Sequence, residues 1–326
     1  MSLRSSVKAR HSAYLLLAAF FWGTTFVAQS IAMQTDIGPF TYNMCRFFLG
    51  GIVLLPLAIV NGHHDPYAIN FKGESEIELR PSFVERKRNF IIGGAVVGLC
   101  IFAAGALQQI GLMYTTAGKS GFVTALYIVI VPIFALLLLR KKCSPLVWIA
   151  IAIAVVGFFF LCVTENFSIN QGDLITLGGS FIYALHILSV DYFGQRTNGI
   201  QLSCSQLFVA GALSAICAFV LETPTVSIIV ENASTIAYAG ILSSGVAFTL
   251  QIVGQRDLHP ATASLLMSLE SVISVLAGWI ILGDVLSSRE ILGCLLVFTG
   301  VVLAQIPWPP EKKIRFEQAK VEHRKI

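Results

Sequence analysis

The sequence predicts an all-α membrane protein whose ten transmembrane helices form two inverted repeats of five. Three observations predict this fold class: the composition, the spacing of the uncharged stretches, and a similarity between the two halves. The 326 residues are 56% hydrophobic and only 12% charged, and the mean hydropathy is +0.78. Soluble domains are about 45–50% apolar and about 25% charged. A soluble fold of this length cannot bury so much apolar surface, so the composition indicates a polytopic membrane protein.

Ten windows of the chain are apolar for close to the roughly 20 residues that a membrane-spanning helix requires. The predicted spans are 11–33, 39–61, 90–114, 117–139, 144–163, 172–194, 200–222, 233–256, 260–282 and 287–308. Most connectors are short, so consecutive helices are expected to be antiparallel neighbours. The exception is a polar insert at 62–89, which we interpret as a solvated cytoplasmic loop with room for a short surface helix.

The basic residues predict the orientation of these spans. With both termini in the cytoplasm, nearly all of the 22 Lys and Arg residues lie in cytoplasmic segments, as the positive-inside rule requires. The exceptions are Arg46, Lys119 and Arg289, which lie within or at the outer ends of spans. An even number of spans places the basic tail, 309–326, on the same side as the N-terminus. We therefore expect a multi-pass protein of the inner cell membrane.

The two halves of the chain are similar to each other. At an offset of 160, Phe48 aligns with Phe208 and Gly51 with Gly211. At an offset of 143, the segment "ALQQIG" aligns with "TLQIVG" and Gly157 aligns with Gly300. We interpret residues 11–163, which include the insert, as a first repeat and residues 172–308 as a second. Chance similarity between Leu-, Ala- and Gly-rich helices is the alternative.

A repeat of five spans has a consequence for topology. Because five is odd, the second copy must enter the membrane upside down. Inverted repeats are typical of secondary transporters, in which the substrate site lies near the midplane between the halves.

Three stretches carry a resemblance to a known family. They are "FWGTTF" in span 1, "YTTAGKSGFVTALYIVIVPIFALLL" over spans 3 and 4, and "ATASLLMSLESVISVLAGWIILGDVLS" over span 9. With these motifs the chain resembles the EamA family of the drug/metabolite transporter superfamily. The resemblance implies ten helices in two inverted repeats. It also implies carriage of small metabolites, often outward, with amino acids among the commonest cargoes.

Glu270 is a carboxylate near the middle of span 9. A charged group at mid-membrane costs about 2.5–3.5 kcal/mol on insertion scales, so it normally faces a cavity or a partner. Three hypotheses are open. Glu270 binds a cationic group of the substrate, or it titrates as a proton-coupling carboxylate, or it pairs with Arg46 or Lys119 to hold helices together.

Arg46 is expected about 12 Å from the outer end of span 2, at 1.5 Å per residue. Its counterpart in the second repeat is Gln206, so the positive charge belongs to one half only. A guanidinium can bind a carboxylate through two parallel hydrogen bonds. Arg46 and Glu270 are therefore expected either to receive the carboxylate and ammonium groups of an amino acid or to pair with each other.

Other polar and aromatic side chains within the spans are further candidates for the binding cavity. They are Trp22, His186, Gln108, Gln251, Tyr127, Tyr183 and Asn43. For Trp22 the alternative is packing, and for His186 it is a hydrogen-bonded core histidine. Gln108 and Gln251 are counterparts in the two repeats and are expected near opposite mouths.

Lys119 lies in "AGKSG", which does not match a phosphate loop because Met113 stands where that motif requires glycine. We expect a tight turn at the outer mouth, with Lys119 as a gate charge or as a solvated residue. Pro132 is expected to kink span 4, because proline lacks a backbone donor. Its counterpart is Val275, which predicts a straighter span 9.

The function predicted from these features is secondary transport of small polar metabolites such as amino acids, by alternating access and most plausibly outward. Proton-coupled efflux of cationic drugs is the alternative, and an enzyme or a receptor is disfavoured. The expected partners are a small-molecule substrate and the lipid bilayer, without nucleic acid, cofactor or metal. The assembly is left as two alternatives, a monomer or a homodimer.

Overall fold

The computed structural model describes residues 3–62, 83–162, 170–256, 258–282, 287–304 and 306. Within these ranges every regular element is a helix. The α-helices are α1 (Leu3–Ala32), α2 (Pro39–Gly62), α3 (Phe83–Leu112), α4 (Ala117–Ala125), α5 (Tyr127–Leu139), α6 (Pro145–Cys162), α7 (Gln171–Gly194), α8 (Gly199–Leu221), α9 (Val226–Glu231), α10 (Ala233–Tyr238), α11 (Phe248–Gly254), α12 (Pro260–Met267), α13 (Leu269–Ala277) and α14 (Ser288–Ala304). Two π-helical segments, Ala239–Ala247 and Gly278–Leu282, follow α10 and α13.

Eight helical segments of the described chain are long and apolar enough to cross a membrane. They are Val7–Ala32, Pro39–Asn61, Val84–Leu112, Ala117–Leu139, Gln171–Gly194, Gly199–Leu221, Ala233–Gly254 and Pro260–Ile281. Each falls on a predicted span. The predicted windows 144–163 and 287–308 hold shorter apolar helices, Pro145–Phe160 and Ile291–Ala304. The all-helical fold class is therefore confirmed, with eight candidate spans in place of the ten that were predicted.

Helix α3 begins earlier than predicted. Its first residue, Phe83, lies within the segment 62–89 that was interpreted as a loop. Glu85 is in the first turn, where a negative charge is stabilised by the unpaired N–H groups of the helix end. Residues 63–82 of the insert and the tail from 309 lie outside the described residues.

Spans 4 and 9 are both interrupted, at positions that differ by one residue under the offset of 143. Leu126 separates α4 from α5, and Ser268 separates α12 from α13. After each break the backbone makes a bond to the residue three positions back: Val129 donates to Leu126, and Ser271 donates to Ser268.

The expectation of a straighter span 9 is wrong. Sequence reasoning placed the irregularity at Pro132 alone, but the break in span 9 occurs without proline. The Ser268 hydroxyl donates to the Leu265 carbonyl at 2.8 Å. Such side-chain bonds compete with the regular helical ladder and bend helices. Span 9 becomes irregular a second time at Gly278, where the π-helical segment begins.

Helix α2 packs along α8 through reciprocal contacts. A Cβ on Gly51 would lie 3.2 Å from the Phe208 ring, and a Cβ on Gly211 would lie 3.0 Å from the Phe48 ring. The two rings also contact each other, with centroids 6.3 Å apart. These are the four residues that the 160-residue offset aligns. Gly51 of α2 leaves space for the Phe208 ring of α8, and Gly211 of α8 leaves space for the Phe48 ring of α2.

Helix α6 packs along α14 in the same reciprocal manner. A Cβ on Gly157 would lie 2.8 Å from the Gly293 carbonyl oxygen, and one on Gly300 would lie 2.7 Å from that of Ala150. An offset of 143 aligns both pairs. The absence of a side chain at both glycines therefore sets how closely these two helices approach.

Large apolar side chains cover the outside of the helix bundle, and two charged side chains of the spans lie inside it. Val220 is 75% exposed, Phe219 70% and Leu137 69%, whereas Arg46 is 2% exposed and Glu270 4%. An exterior of this kind suits lipid, in which polar groups must find partners within the protein. Glu270 therefore faces the interior of the bundle.

The close approach of α6 and α14 can be tested with Gly300→Ala. The added methyl group would meet the Ala150 backbone at 2.7 Å, and overpacking of this kind costs about 1–3 kcal/mol. We expect a lower melting temperature in detergent. The matched control is Gly178→Ala in α7, where the nearest atom to the new Cβ is 3.7 Å away. Equal melting temperatures for the two variants would contradict the packing described here.

Candidate functional site

A cavity lies where α1, α2, α3, α5, α7, α11 and α13 meet. It comprises about 480 Å³ of space free of protein atoms, including the part that opens to solvent. Its lining residues are Trp22, Phe26, Gln29, Arg46, Gln108, Thr124, Tyr127, Tyr183, His186, Ile187, Ser243, Phe248, Gln251, Met267 and Glu270.

All the predicted binding residues except Asn43 line this cavity, and Asn43 lies directly behind it. The Asn43 side-chain oxygen accepts a hydrogen bond from Arg46 Nε at 2.7 Å. Its amide nitrogen donates to the Gly105 carbonyl at 3.1 Å. Asn43 therefore holds the arginine against α3 and positions it.

Glu270 lies just after the break in span 9, and its carboxylate bonds to a residue just after the break in span 4. The hydroxyl of Tyr127 donates to Glu270 Oε1 at 3.0 Å. The two residues are 143 positions apart, so they are counterparts under the offset that relates the spans. No cation of Arg46 or Lys119 lies within 4.0 Å of the Glu270 carboxylate in the described structure. The hypothesis of a structural ion pair at Glu270 is therefore wrong.

Arg46 is buried with its terminal nitrogens unengaged. Its Nε binds Asn43, and the guanidinium lies 4.4 Å from the centre of the Phe47 ring. Neither terminal nitrogen has a hydrogen-bond partner among the described residues. A Cβ on Gly105 would come within 3.2 Å of Arg46 Nη2, so the glycine provides the space that the guanidinium occupies. The free edge of Arg46 is available to an anionic group in the cavity.

Gln108 joins three helices around the cavity. Its amide nitrogen donates to Thr124 at 3.1 Å, and its oxygen accepts from the Tyr183 hydroxyl at 3.1 Å. The counterpart Gln251 lines the same cavity, although the sequence placed the two at opposite mouths. The side-chain oxygens of Gln251 and Gln29 are buried without a partner. They are acceptors that a ligand donor or a water molecule can satisfy.

His186 and Trp22 line the cavity on opposite sides of Phe248. His186 Nε2 bonds to the side-chain oxygen of Gln206 at 3.0 Å, and its ring lies edge-on to Phe248. The indole of Trp22 lies 5.2 Å from the Phe248 ring and donates to the Ser243 carbonyl at 3.3 Å. Ser243 belongs to a π-helical segment, a feature frequent at functional sites.

Sequence reasoning missed several lining residues that helical spacing would have indicated. Phe26 and Gln29 follow Trp22 by four and seven positions on α1, on one face of the helix. Thr124 precedes Tyr127 by three positions, and Phe248 precedes Gln251 by three. Most of these residues are apolar or weakly polar, so a search for charges within spans does not select them.

Lys119 lies outside the cavity, at the start of α4. Its ammonium is 4.0 Å from Asp173 of α7, and Asp173 also accepts from the Thr115 hydroxyl at 2.7 Å. The Lys119 side chain is 28% exposed, so it contacts solvent as well as Asp173. The ion pair joins span 4 to span 6 at one end, and a gate role remains a prediction.

The opposite end of the same helix pair carries a second ion pair that the sequence did not reveal. Lys141, after α5, pairs with Asp191 of α7. His259 is close enough to both for their charges to act on it. The His259 ring nitrogen Nδ1 caps α12 by accepting from the Ala261 N–H at 3.2 Å.

Comparison with known proteins decides the family. The model of the EamA-like transporter family matches residues 11–163 and 170–305. The chain belongs to the EamA-like transporter family. It is therefore a multi-pass membrane transporter, as the resemblance in spans 1, 4 and 9 predicted.

The relatives of this EamA-like transporter align with almost its whole length. An "Uncharacterized transporter" of Archaeoglobus fulgidus is 26% identical over 90% of this chain and 84% of its own. The "Uncharacterized inner membrane transporter YedA" of Escherichia coli K12 is 25% identical over 87% of each chain. One crystal structure superposes with a TM-score of 0.70 at 18% identity, over 91% of this chain and 96% of that one. The last comparison supports the fold alone.

The cap made by His259 predicts a dependence of stability on pH. Burial lowers the pKa of His259 below its ordinary value, the Lys141 charge lowers it further, and Asp191 opposes them. A lowered folded-state pKa means that the unfolded chain binds more protons. This contribution to stability is present above about pH 6.5, the ordinary value, and is lost as the pH falls below it.

The variant His259→Asn keeps a side-chain oxygen that can cap α12, but its side chain does not bind a proton. We expect its melting temperature to fall less than that of the wild type as the pH is lowered. Melting temperature measured from pH 8 to pH 5 in detergent is the readout. The two proteins should match above pH 7.5 and separate below pH 6.5. Parallel curves across the whole range would show that His259 does not titrate in this way.

Proposed function

We propose that this transporter carries small zwitterionic metabolites, amino acids among them, by alternating access around the cavity. The proposal includes outward transport across an inner cell membrane, with both termini in the cytoplasm. No ATP-hydrolysing segment is recognisable in the sequence, so movement follows a gradient or is coupled to an ion.

The observation that carries the proposal is the state of the two buried charges. Arg46 and Glu270 line one cavity, yet neither neutralises the other. An unpaired buried charge is costly, and a ligand with one negative and one positive group removes both penalties together. The α-carboxylate would receive the free edge of Arg46, and the α-ammonium would approach Glu270 Oε2, the oxygen not engaged by Tyr127.

The rest of the lining supports an amphipathic ligand. Trp22, Phe26, Phe248 and Met267 present aromatic or apolar surface to the same space. Ligand sites combine such surface with a few placed polar groups that fix orientation. The apolar part of a metabolite would pack here while its charged end binds Arg46 and Glu270.

The architecture that we propose is two inverted repeats of five spans, 11–163 and 172–308, with α6 and α14 as spans 5 and 10. The reciprocal glycine contacts of α2 with α8 and of α6 with α14 support it, because a two-fold relation makes such contacts occur in pairs. The matched breaks at Leu126 and Ser268 support it further. Discontinuous helices near the midplane are typical of secondary transporters built from inverted repeats.

Efflux of cationic drugs is the second candidate, and Glu270 is the feature that favours it. A positively charged drug would bind the carboxylate and leave when it is protonated. Arg46 disfavours this function because a second cation in the cavity is repelled. A screen of thermal stabilisation over amino acids, organic cations and nucleosides separates the candidates, since a ligand that binds the folded state raises its melting temperature.

Glu270→Gln tests the proposed contact with the ammonium. The amide keeps the shape and the bond to Tyr127 but removes the charge. We expect folded protein, loss of the stabilisation by amino acids, and at least a tenfold fall in their flux into proteoliposomes. Glu231→Gln in α9, which alters an exposed carboxylate, is the control. Wild-type flux with wild-type pH dependence in Glu270→Gln would remove Glu270 from the site.

Arg46→Gln tests the proposed contact with the carboxylate and gives α2 the residue of its counterpart, Gln206. Amino acids should bind at least tenfold more weakly, whereas organic cations should bind as well as before or better. Arg88→Gln, an exposed arginine in α3, is the control for charge alone. Unchanged amino-acid binding by folded Arg46→Gln contradicts the proposed orientation.

A further inference from the structure

Helices α4 and α13 run antiparallel against each other from Glu270 towards the Lys119 end of the bundle. Tyr127 meets Glu270, Gly121 meets Ser271 and Ser274, and Gly118 meets Val275. Over the nine residue steps from Tyr127 to Gly118 the seam rises about 14 Å at 1.5 Å per residue. We call this α4–α13 contact the hydroxyl seam.

The hydroxyl seam contains a polar group whose hydrogen bonds the protein does not complete. The Ser271 hydroxyl donates to the Gly121 carbonyl at 2.9 Å. One turn further, the Ser274 hydroxyl is buried without a partner, and Ser274 is 2% exposed. Buried polar groups in native proteins are satisfied by protein or by ordered water, so this hydroxyl indicates water within the seam.

On the α4 side the residue that faces Ser274 is a glycine, which offers no side chain to bond to the hydroxyl. The Ser274 oxygen is 3.5 Å from the point that a Cβ on Gly121 would occupy, and Phe26 of α1 is 3.8 Å from the same point. At Gly118 the nearest atom to such a Cβ is a methyl carbon of Val275 at 3.8 Å. The Ser274 hydroxyl is thus in contact with α4 but has no hydrogen-bond partner among the described residues.

We propose that protons reach Glu270 through water held in the hydroxyl seam, by a route separate from the one that the substrate takes. This inference rests on the proposed function and adds its coupling ion. A proton from the solution at the Lys119 end passes along the seam and forms an O–H bond on Glu270. The substrate ammonium then loses its counter-charge and leaves, and the O–H bond later breaks to return the proton on the other side.

Several titratable and charged groups line the cavity together with Glu270. They are Tyr127 from α5, Tyr183 and His186 from α7, and Arg46 from α2. Tyr127 donates to the carboxylate, whereas Arg46 shares the cavity without pairing with it. A bound zwitterion would occupy Arg46, so binding and protonation at Glu270 are linked.

The other helices that pack against α13 carry their charged or titratable groups away from Glu270. Lys119 is at the far end of the seam on α4. His11 lies near the N-terminal end of α1, more than two turns from the Trp22 that lines the cavity. Arg289 of α14 lies over the Phe159 and Phe160 rings. Glu270 is therefore the carboxylate at one end of the seam, and the polar groups described between it and Lys119 are the hydroxyls of Ser271 and Ser274 and the Gly121 carbonyl.

The test compares two variants of equal shape, Ser274→Thr and Ser274→Val. Both add bulk to the seam, but only threonine keeps the hydroxyl. The purified proteins are placed in liposomes that contain a pH-sensitive dye, and a gradient of an equimolar mixture of the twenty amino acids drives exchange. Flux of the labelled mixture and thermal stabilisation by it are measured in parallel.

We expect Ser274→Thr to keep the proton flux and Ser274→Val to lower it at least tenfold, while stabilisation by amino acids persists in both. The control is Ser214→Val, which also removes a buried hydroxyl that has no partner. Ser214 belongs to α8, which is not one of the two helices of the seam. The proton flux of this control should equal that of the wild type. Gly121→Ala, which adds a methyl group at an ordinary contact distance, is the second variant if the first pair does not fold.

The outcomes separate this inference from the proposed function. Wild-type proton flux in folded Ser274→Val and Gly121→Ala overturns the hydroxyl seam as a proton route. Amino-acid flux without proton movement in the wild type also overturns it, while the proposed function stands. Amino-acid flux that follows a sodium gradient in place of the pH gradient likewise overturns the proton route and leaves the proposed function standing. Absence of amino-acid binding in the wild type overturns the proposed function itself.

Discussion

Glu270 and Arg46 carry opposite charges into the centre of an apolar bundle and remain unpaired there. Burial of a charge without a partner is unfavourable by several kcal/mol, so the neighbouring structure has to compensate for it. Tyr127 supports the carboxylate, and Asn43 fixes the guanidinium from behind. The compensation is incomplete on the side that faces the cavity, and this is the side on which a ligand completes it. The proposed specificity for a zwitterion rests on the same incompleteness.

The backbone around the cavity is irregular where these groups lie. Span 4 breaks one residue before Tyr127 and span 9 breaks two residues before Glu270, and the segment that contains Ser243 is π-helical. Irregular backbone at membrane depth is tolerated only where protein or a water-filled cavity covers it. The cavity and the breaks are therefore mutually dependent. The breaks also divide spans 4 and 9 into two helical halves each.

The two ion pairs between span 4 and span 6 lie on either side of this site. Lys119 pairs with Asp173 at one end, and Lys141 pairs with Asp191 at the other. A transporter that opens to one side at a time has to weaken one end while the other stays closed. Ion pairs at helix ends are suited to this because water replaces them at small cost. The glycine contacts of α2 with α8 and of α6 with α14 are tighter and provide the stable frame.

The sequence by itself determined the membrane class, the position of the spans and most of the cavity residues. Apolar windows and charge placement report directly on transfer into lipid, a property of each segment in isolation. Trp22, Arg46, Gln108 and Glu270 were identifiable because polar or aromatic groups within a span are costly unless a cavity receives them. The similarity of the two halves at offsets of 160 and 143 residues was also found from the amino-acid sequence alone.

Only the tertiary structure decided which of these groups meet. It separated Glu270 from Arg46 and Lys119, paired Glu270 with Tyr127, and placed Gln108 and Gln251 on one cavity. It showed the break at Ser268, which no proline in span 9 predicts. It also showed that Asp173 pairs with Lys119 and Asp191 with Lys141. Such contacts depend on the rotation and spacing of helices far apart in the chain, which glycines such as Gly105 and Gly300 set through packing. Hydropathy along a single helix does not contain that information.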